Sequence, residues 1–318
     1  MKKLIYVPLE HIDKRYTVHL DNDIENYLKE NNVNYIKIKP PILEQRDLNG
    51  MFLDASGTIK TKSHQIYLIA SLYESGYVDD NTYFFFSDLW FPGIESLAYL
   101  NYFHNVKPKI NGIIHAGSFT DTDFVRDMER WAKNFEDVIF DISNEIFVAS
   151  NFIKNDIIKK RIIHPDKLTV THLPLDSGLD KYKNETKENI IVFNGRLCDE
   201  KQPWLFDRLE EYFQQEDWSF VKTQEQDLNK NEYYNLLSKS KVVVSFALQE
   251  NFGYGINEAV KLGCVPVLPN RLVYKELYEP TYLYNNFEEC CNILNDAMKN
   301  KISTPKLNLD SPFKTWFI

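Results

Sequence analysis

Two glutamates, Glu250 and Glu258, flank a turn carrying Gly253 and Gly255 in the segment QENFGYGINEAVKLGCVPVLPN. Upstream, NGRLCDEK places Gly195, Arg196 and Lys201 on one short loop. Two cations there, a glycine that lets backbone approach closely, and free amides at a helix start form a chemistry suited to a diphosphate. No metal is needed for that chemistry. A carboxylate beside a diphosphate is repelled by it, so Glu250 and Glu258 need other work. Glu250, in a loop, suits the hydroxyls of a neutral group. Glu258, in the first turns of a helix, suits the two hydroxyls of a ribose. The plainer alternative makes Arg196 and Lys201 solvated surface residues and the glutamates an N-terminal capping pair. Spacing alone leaves both open.

The first half holds further candidates. His115 directly follows the apolar run Ile110–Ile114 and precedes Ala-Gly-Ser, the position of a strand-end residue. A core histidine satisfied by a backbone carbonyl is its alternative. Asp88 and Trp90 follow the apolar run Tyr83–Phe86 in the same way and suit a sugar or a base. In PLEHIDKRYTVH, His11, Lys14 and Arg15, with His19, are candidates for contact with an anionic acceptor. An ordinary polar loop would look similar. Lys154, Lys159, Lys160, Arg161, His164 and Lys167 form a basic stretch that could rim a phosphate backbone.

The elements that must carry these residues alternate. Strands are expected at 4–9, 33–38, 83–86, 110–114, 145–149 and 168–171, with helices at 21–30, 63–75, 94–104, 124–135 and 151–161 between them. A polar, lysine-rich linker is expected at 176–189. Strands then follow at 190–193, 218–222, 241–246, 265–268 and 282–284, with helices at 204–213, 231–237, 256–262 and 287–298. Short apolar strands separated by helices imply mainly parallel sheets covered on both faces. The fold class is α/β: two Rossmann-like domains facing each other across a cleft, at 1–175 and 190–298. Ligands of such sheets sit beyond the carboxyl ends of the strands, where Gly195, Arg196, Glu250, Asn270 and Arg271 fall. The tail 299–318 ends in Trp316 and Phe317, which are expected to dock on the first domain.

Bulk composition excludes several classes. The 318 residues carry 37 Lys plus Arg against 46 Asp plus Glu, a formal charge of −9, which argues against nucleic-acid binding by charge alone. Cys198, Cys264, Cys290 and Cys291 fit neither a zinc motif nor a disulfide framework and are expected to be free thiols in a reducing cytoplasm. The apolar run near the N-terminus is too short and too soon interrupted by charge for a signal peptide. No stretch approaches the ~20 apolar residues of a membrane span.

Taken together and in order, NGRLCDEK, ENFGYGINE, the following GCVPVLPN, and the preceding IFVASNFIKNDI and KLTVTHLPLD resemble the retaining GT-B glycosyltransferases of the group-1, or GT4, family. The resemblance is firm over about residues 140–285. It implies that Arg196 and Lys201 hold the donor diphosphate, Glu250 the transferred sugar and Glu258 the ribose, with Gly195, Gly253 and Gly255 lining the nucleotide site. It also gives His115 a contact to the donor sugar, carries the last helix back to the first domain, and implies metal-independent, retaining transfer with no cofactor. The donor expected on family habit is a nucleoside-diphosphate sugar, UDP-hexose favoured. The acceptor is a saccharide, glycan or lipid-linked sugar, or alternatively a hydroxymethylated base in DNA. A catalytically silent nucleotide-sugar-binding protein is a third reading. Where many relatives have a glycine-rich turn after the first strand, this chain has Pro8–His19, which leaves the acceptor side undefined. Monomer and dimer both stay open.

Overall fold

The computed structural model describes residues 3–12, 15–42, 54–123, 125–184 and 186–317. The chain divides into two compact units: residues 1–149, 154–171 and 311–318 form the first, and 150–153 and 172–310 the second.

The first unit contains β1 (Lys3–Val7), α1 (Thr17–Glu30), β2 (Tyr35–Lys37), α2 (Ala55–Glu74), β3 (Thr82–Phe86), α3 (Ser96–His104), β4 (Lys109–Ile113), α4 (Glu129–Ile142), β5 (Glu145–Val148), most of α5 (Asn151–Lys160) and β6 (Leu168–Val170). Its sheet runs β2-β1-β3-β4-β5-β6, with every pair parallel. The strands are apolar runs rather than alternations because helices cover both faces. Phe84, Phe85 and Phe86 are consecutive in β3, point to opposite faces in turn, and are all fully buried.

The second unit contains β7 (Glu188–Phe193), α6 (Pro203–Tyr212), β8 (Ser219–Lys222), α7 (Lys230–Lys239), β9 (Ser240–Val244), α8 (Tyr254–Lys261), β10 (Val265–Pro269), α9 (Tyr274–Leu277), β11 (Leu283–Tyr284) and α10 (Phe287–Met298). Its parallel sheet runs β11-β10-β9-β7-β8. The central strands β7 and β9 end side by side, so the loops that leave them share one space above the sheet.

The chain ends in α11 (Phe313–Phe317), which belongs to the first unit. Trp316 is fully buried there. Its indole donates to Thr171 Oγ1 at 3.1 Å, and its carbonyl accepts from the Tyr83 hydroxyl at 2.6 Å. Phe317 packs on Phe85 with ring centroids 4.6 Å apart.

Three sequence expectations need adjustment. The second helix begins at Ala55, eight residues ahead of the expected Ser63, because its first turns are polar and show no apolar face. The expected linker 176–189 is structured: Ser177–Tyr182 forms a 3-10 turn, Leu179 is buried in the second unit's core, and Asp176 accepts from the Tyr234 hydroxyl at 3.0 Å. Four of the six residues of the basic stretch are turned to internal partners, while Lys159 and His164 are exposed. Lys154 donates to the Leu168 carbonyl, Lys160 to the Phe119 carbonyl and Asp121, and Lys167 to the Phe140 carbonyl. Arg161 is buried against Glu136.

Candidate functional site

The residues singled out in the second unit meet at the carboxyl ends of β7 and β9. Gly195, Lys201, Glu250 and Gly255 line one pocket together with Asn194 and Tyr274. Lys201 is 8% exposed, and its ammonium reaches across to the Gln249 carbonyl and to Glu250 Oε2 at 3.3 Å. Glu250 is held at both oxygens, since Oε1 accepts from the Gly253 amide at 2.9 Å. It is thus a fixed carboxylate at the pocket wall.

The backbone there requires its glycines. Gly253 caps α8 with φ at +78°, the left-handed region that side chains other than glycine adopt at a cost. At Gly255 a Cβ would come within 2.9 Å of Asn194 Nδ2. That amide donates to the Gly255 carbonyl at 2.6 Å and ties the end of β7 to the first turn of α8. The N-cap residue of α8, Gly253, has no side chain of its own to offer, and its amide is taken by Glu250. The first turn of α8, at Gly255 and Ile256, lines the pocket. A lysine and the first turn of α8 converge on this one space, a combination suited to an anion.

Arg196 lies at the same loop, half exposed, and pairs with Glu200 Oε1. The same oxygen stands 3.8 Å from Lys201 Nζ. Glu200 therefore sits between the two cations, a role hidden in the sequence because it lies in a charged DEK run that resembles ordinary surface.

Glu258 is placed differently. It does not line that pocket, is 3% exposed, and is contained by α7. Its Oε1 accepts from the Tyr234 hydroxyl at 2.9 Å and from Lys230 Nζ at 3.2 Å, and its Oε2 from the Tyr233 hydroxyl at 3.4 Å. Burial raises its pKa and Lys230 opposes the rise. Tyr233 joins the two groups, because its hydroxyl also accepts from Asn194 at 3.2 Å. Lys230 and Tyr233 became visible only through the packing of α7 on α8. Arg271 donates to the Ala247 and Phe246 carbonyls, bracing the loop after β9.

In the first unit, His115 is half-buried at the end of β4. Its Nε2–H donates to the Ser87 carbonyl at 2.8 Å, and its ring lies 5.3 Å from that of Tyr16. Burial pushes its pKa down to about 4, so it is neutral at ordinary pH. Asp88 is pushed up to about 7, chiefly by burial, with the Trp90 amide and Lys62 opposing. Trp90 donates from its indole to Glu136 and packs edge-on against Trp131 and Phe135. His11 Nε2 lies 2.6 Å from the buried carboxylate of Asp21, which also takes Lys37 and the Tyr6 hydroxyl. Arg15 is partly buried beside Tyr16, and Lys14 lies outside the described residues.

Among the described residues, no group of three His, Cys, Asp or Glu side chains is placed to hold a metal ion, and no helix is long and apolar enough to cross a membrane. Comparison with models of known protein families gives no match. Among curated proteins, the tRNA-queuosine alpha-mannosyltransferase of Drosophila melanogaster is 36% identical over 80 residues, or 25% of this chain. The match spans 20% of that protein's length. Among solved structures, the sucrose-phosphate synthase of Thermosynechococcus elongatus superposes with a TM-score of 0.64 at 9% identity, covering 94% of this chain and 90% of that one. The HepE protein of Anabaena, solved with UDP, gives 0.62 at 13% identity, covering 96% and 92%. At such identities the likeness establishes the fold alone: two parallel sheets, each flanked by helices, in a GT-B-like two-Rossmann-domain architecture.

Proposed function

We propose that the chain transfers a sugar from a nucleoside diphosphate, UDP favoured, to an acceptor hydroxyl, with retention of configuration and without a metal. One observation carries the reading: Lys201, Glu250 and the first turn of α8 share one pocket at the ends of β7 and β9. In this reading Lys201, Arg196 and the α8 amides hold the diphosphate. The bond from the sugar's anomeric carbon to the phosphate oxygen breaks, and its electrons move to the diphosphate. Those positive groups stabilise the growing charge in the transition state. The acceptor oxygen attacks from the face the phosphate leaves, and its proton passes to the departing phosphate oxygen. Glu250 is better suited to hydroxyls of the transferred sugar than to nucleophilic attack, because both its oxygens are already held. Glu258, with Tyr233 and Lys230 around it, is assigned to the ribose on the resemblance. His115 is assigned to the donor sugar on the same ground, and Asp88, Trp90, His11 and Arg15 to the acceptor from their positions after β3 and β1.

Calorimetry with UDP, GDP and their sugars in the presence of EDTA tests the donor. Binding of one nucleotide that Lys201→Met abolishes, with the fold intact, supports the reading. Binding by none overturns it. Proton NMR of the product's anomeric signal tests retention.

The acceptor has two readings. A saccharide or lipid-linked sugar fits a neutral pocket. A modified nucleoside in nucleic acid is favoured by one observation, the local match to a tRNA-queuosine mannosyltransferase. The internal use of Lys154, Lys160, Arg161 and Lys167 weighs against a basic track for the polymer. Transfer of labelled sugar to bulk tRNA, hydroxymethylated DNA and simple glycosides, run side by side, separates the two.

A further inference from the structure

A second pocket of about 250 Å³ opens in the second unit, beside the one that holds Lys201. The two stand back to back. Lys201 and Ser245 line the first, and the next residue of each, Gln202 and Phe246, lines the second. Its floor is aromatic: Phe246, Tyr284 and Phe287. These rings are fixed. The Tyr284 hydroxyl donates to the Ser245 carbonyl at 2.7 Å, and the Arg208 guanidinium lies over Phe287 at 4.2 Å.

The rim is carboxamide. Asn270 Nδ2 donates to Asn285 Oδ1 at 2.9 Å, and Asn285 in turn donates from its backbone and side chain to Glu289, each at 2.7 Å. This chain of bonds fixes the orientation of Asn270. Gln202, held at a left-handed φ of +51°, contributes a further amide. No carboxylate lines the pocket. The one cation, Arg271, is turned to the Phe246 and Ala247 carbonyls.

We propose that this pocket binds a neutral polyhydroxylated molecule of monosaccharide size. Amides offer a donor and an acceptor side by side, which suits vicinal hydroxyls. Aromatic faces suit the apolar C–H face of a sugar ring. The volume lies just below the ~300–1,000 Å³ typical of small-molecule sites, and the lack of a lining carboxylate disfavours a cation. The site adjoins the donor loop. Arg271 grips the backbone at 246–247, and Gln249 of the same loop accepts from Lys201.

The test is saturation-transfer NMR on the full chain with glucose, mannose, galactose, N-acetylglucosamine and maltose, each at about 10 mM to cover millimolar affinity. The spectra are taken with and without saturating UDP. The expected result is transfer to at least one sugar that persists with UDP and falls about tenfold in both Gln202→Ala and Asn270→Ala. Both side chains lie outside the core, and circular dichroism checks the fold of each variant. The proposal is overturned if no sugar receives saturation, if UDP displaces it, or if both variants retain it. A chain that takes the sugar but not UDP would refute the donor reading and leave this one standing.

Discussion

Replacing Glu200 by Gln should tighten the binding of UDP. In the empty pocket Glu200 Oε1 pairs with Arg196 and stands 3.8 Å from Lys201 Nζ. A diphosphate bound between those cations would lie roughly 6 Å from the carboxylate. One unit charge at that distance is repelled by about 0.7 kcal/mol at a dielectric of ~80 and about 2.8 kcal/mol at ~20. Screening at physiological salt, with a Debye length near 8 Å, roughly halves this. Against it stands the pairing that pre-orients Arg196, an exposed i,i+4 contact worth about 0.3–0.5 kcal/mol. The balance favours the variant by up to about 1 kcal/mol, or up to about fivefold in Kd. Titration calorimetry with UDP in EDTA measures it, with uridine as the uncharged control. The gain should shrink as salt rises. Weaker UDP binding by the variant, or an equal gain for uridine, would refute a diphosphate between Arg196 and Lys201.

Asp88→Asn should stabilise the fold at pH 8 and leave it unchanged at pH 3. The native carboxyl has its pKa raised to about 7, so its folded state holds a proton that the unfolded state releases near pH 4. Stability from this group is complete below the unfolded value and is lost as pH rises through 7, which thermal melts across that range will show. Lowering pH through 6.5 toward 4 should have the opposite sign for His115, whose neutral form the fold prefers; His115→Gln should flatten that limb of the melting profile. Arg161→Met should cost about 3–5 kcal/mol by urea unfolding, since it strands the fully buried Glu136, and adding Glu136→Leu should recover much of the loss. Trp316→Ala should cost about 3–5 kcal/mol, because its ring is fully buried against Phe85 and Phe147.

Legibility in the sequence followed the physics of each element. Strands such as β3 and β9 were readable because burial on both faces makes them unbroken apolar runs. The start of α2 was not, since it sits on the polar stretch ASGTIKTK. The segment after Pro174 reads as a linker because its polar residues hide the side chains that anchor it, Leu179 and Asp176. The basic stretch misled for a different reason. Lys154, Lys160 and Lys167 are matched by backbone carbonyls more than ten residues away, and carbonyls leave no trace in sequence composition.

The candidate site divides along the same line. Gly195, Lys201, Glu250 and Gly255 were legible because the demands on them are local: a tight backbone, a charge and a helix start. What sequence spacing could not supply was the state of their charges. Lys201 and Arg196 share Glu200, Lys201 also meets Glu250, and Glu258 is enclosed by Lys230, Tyr233 and Tyr234. Each cation of the proposed diphosphate site thus has a carboxylate partner when the pocket is empty. That arrangement avoids stranding a nearly buried ammonium without a charged partner, which would destabilise the loop. It also means an incoming anion has to displace carboxylates rather than occupy bare cations. Affinity for the nucleotide should therefore respond to the glutamates as well as to the lysine and arginine, with opposite sign at Glu200.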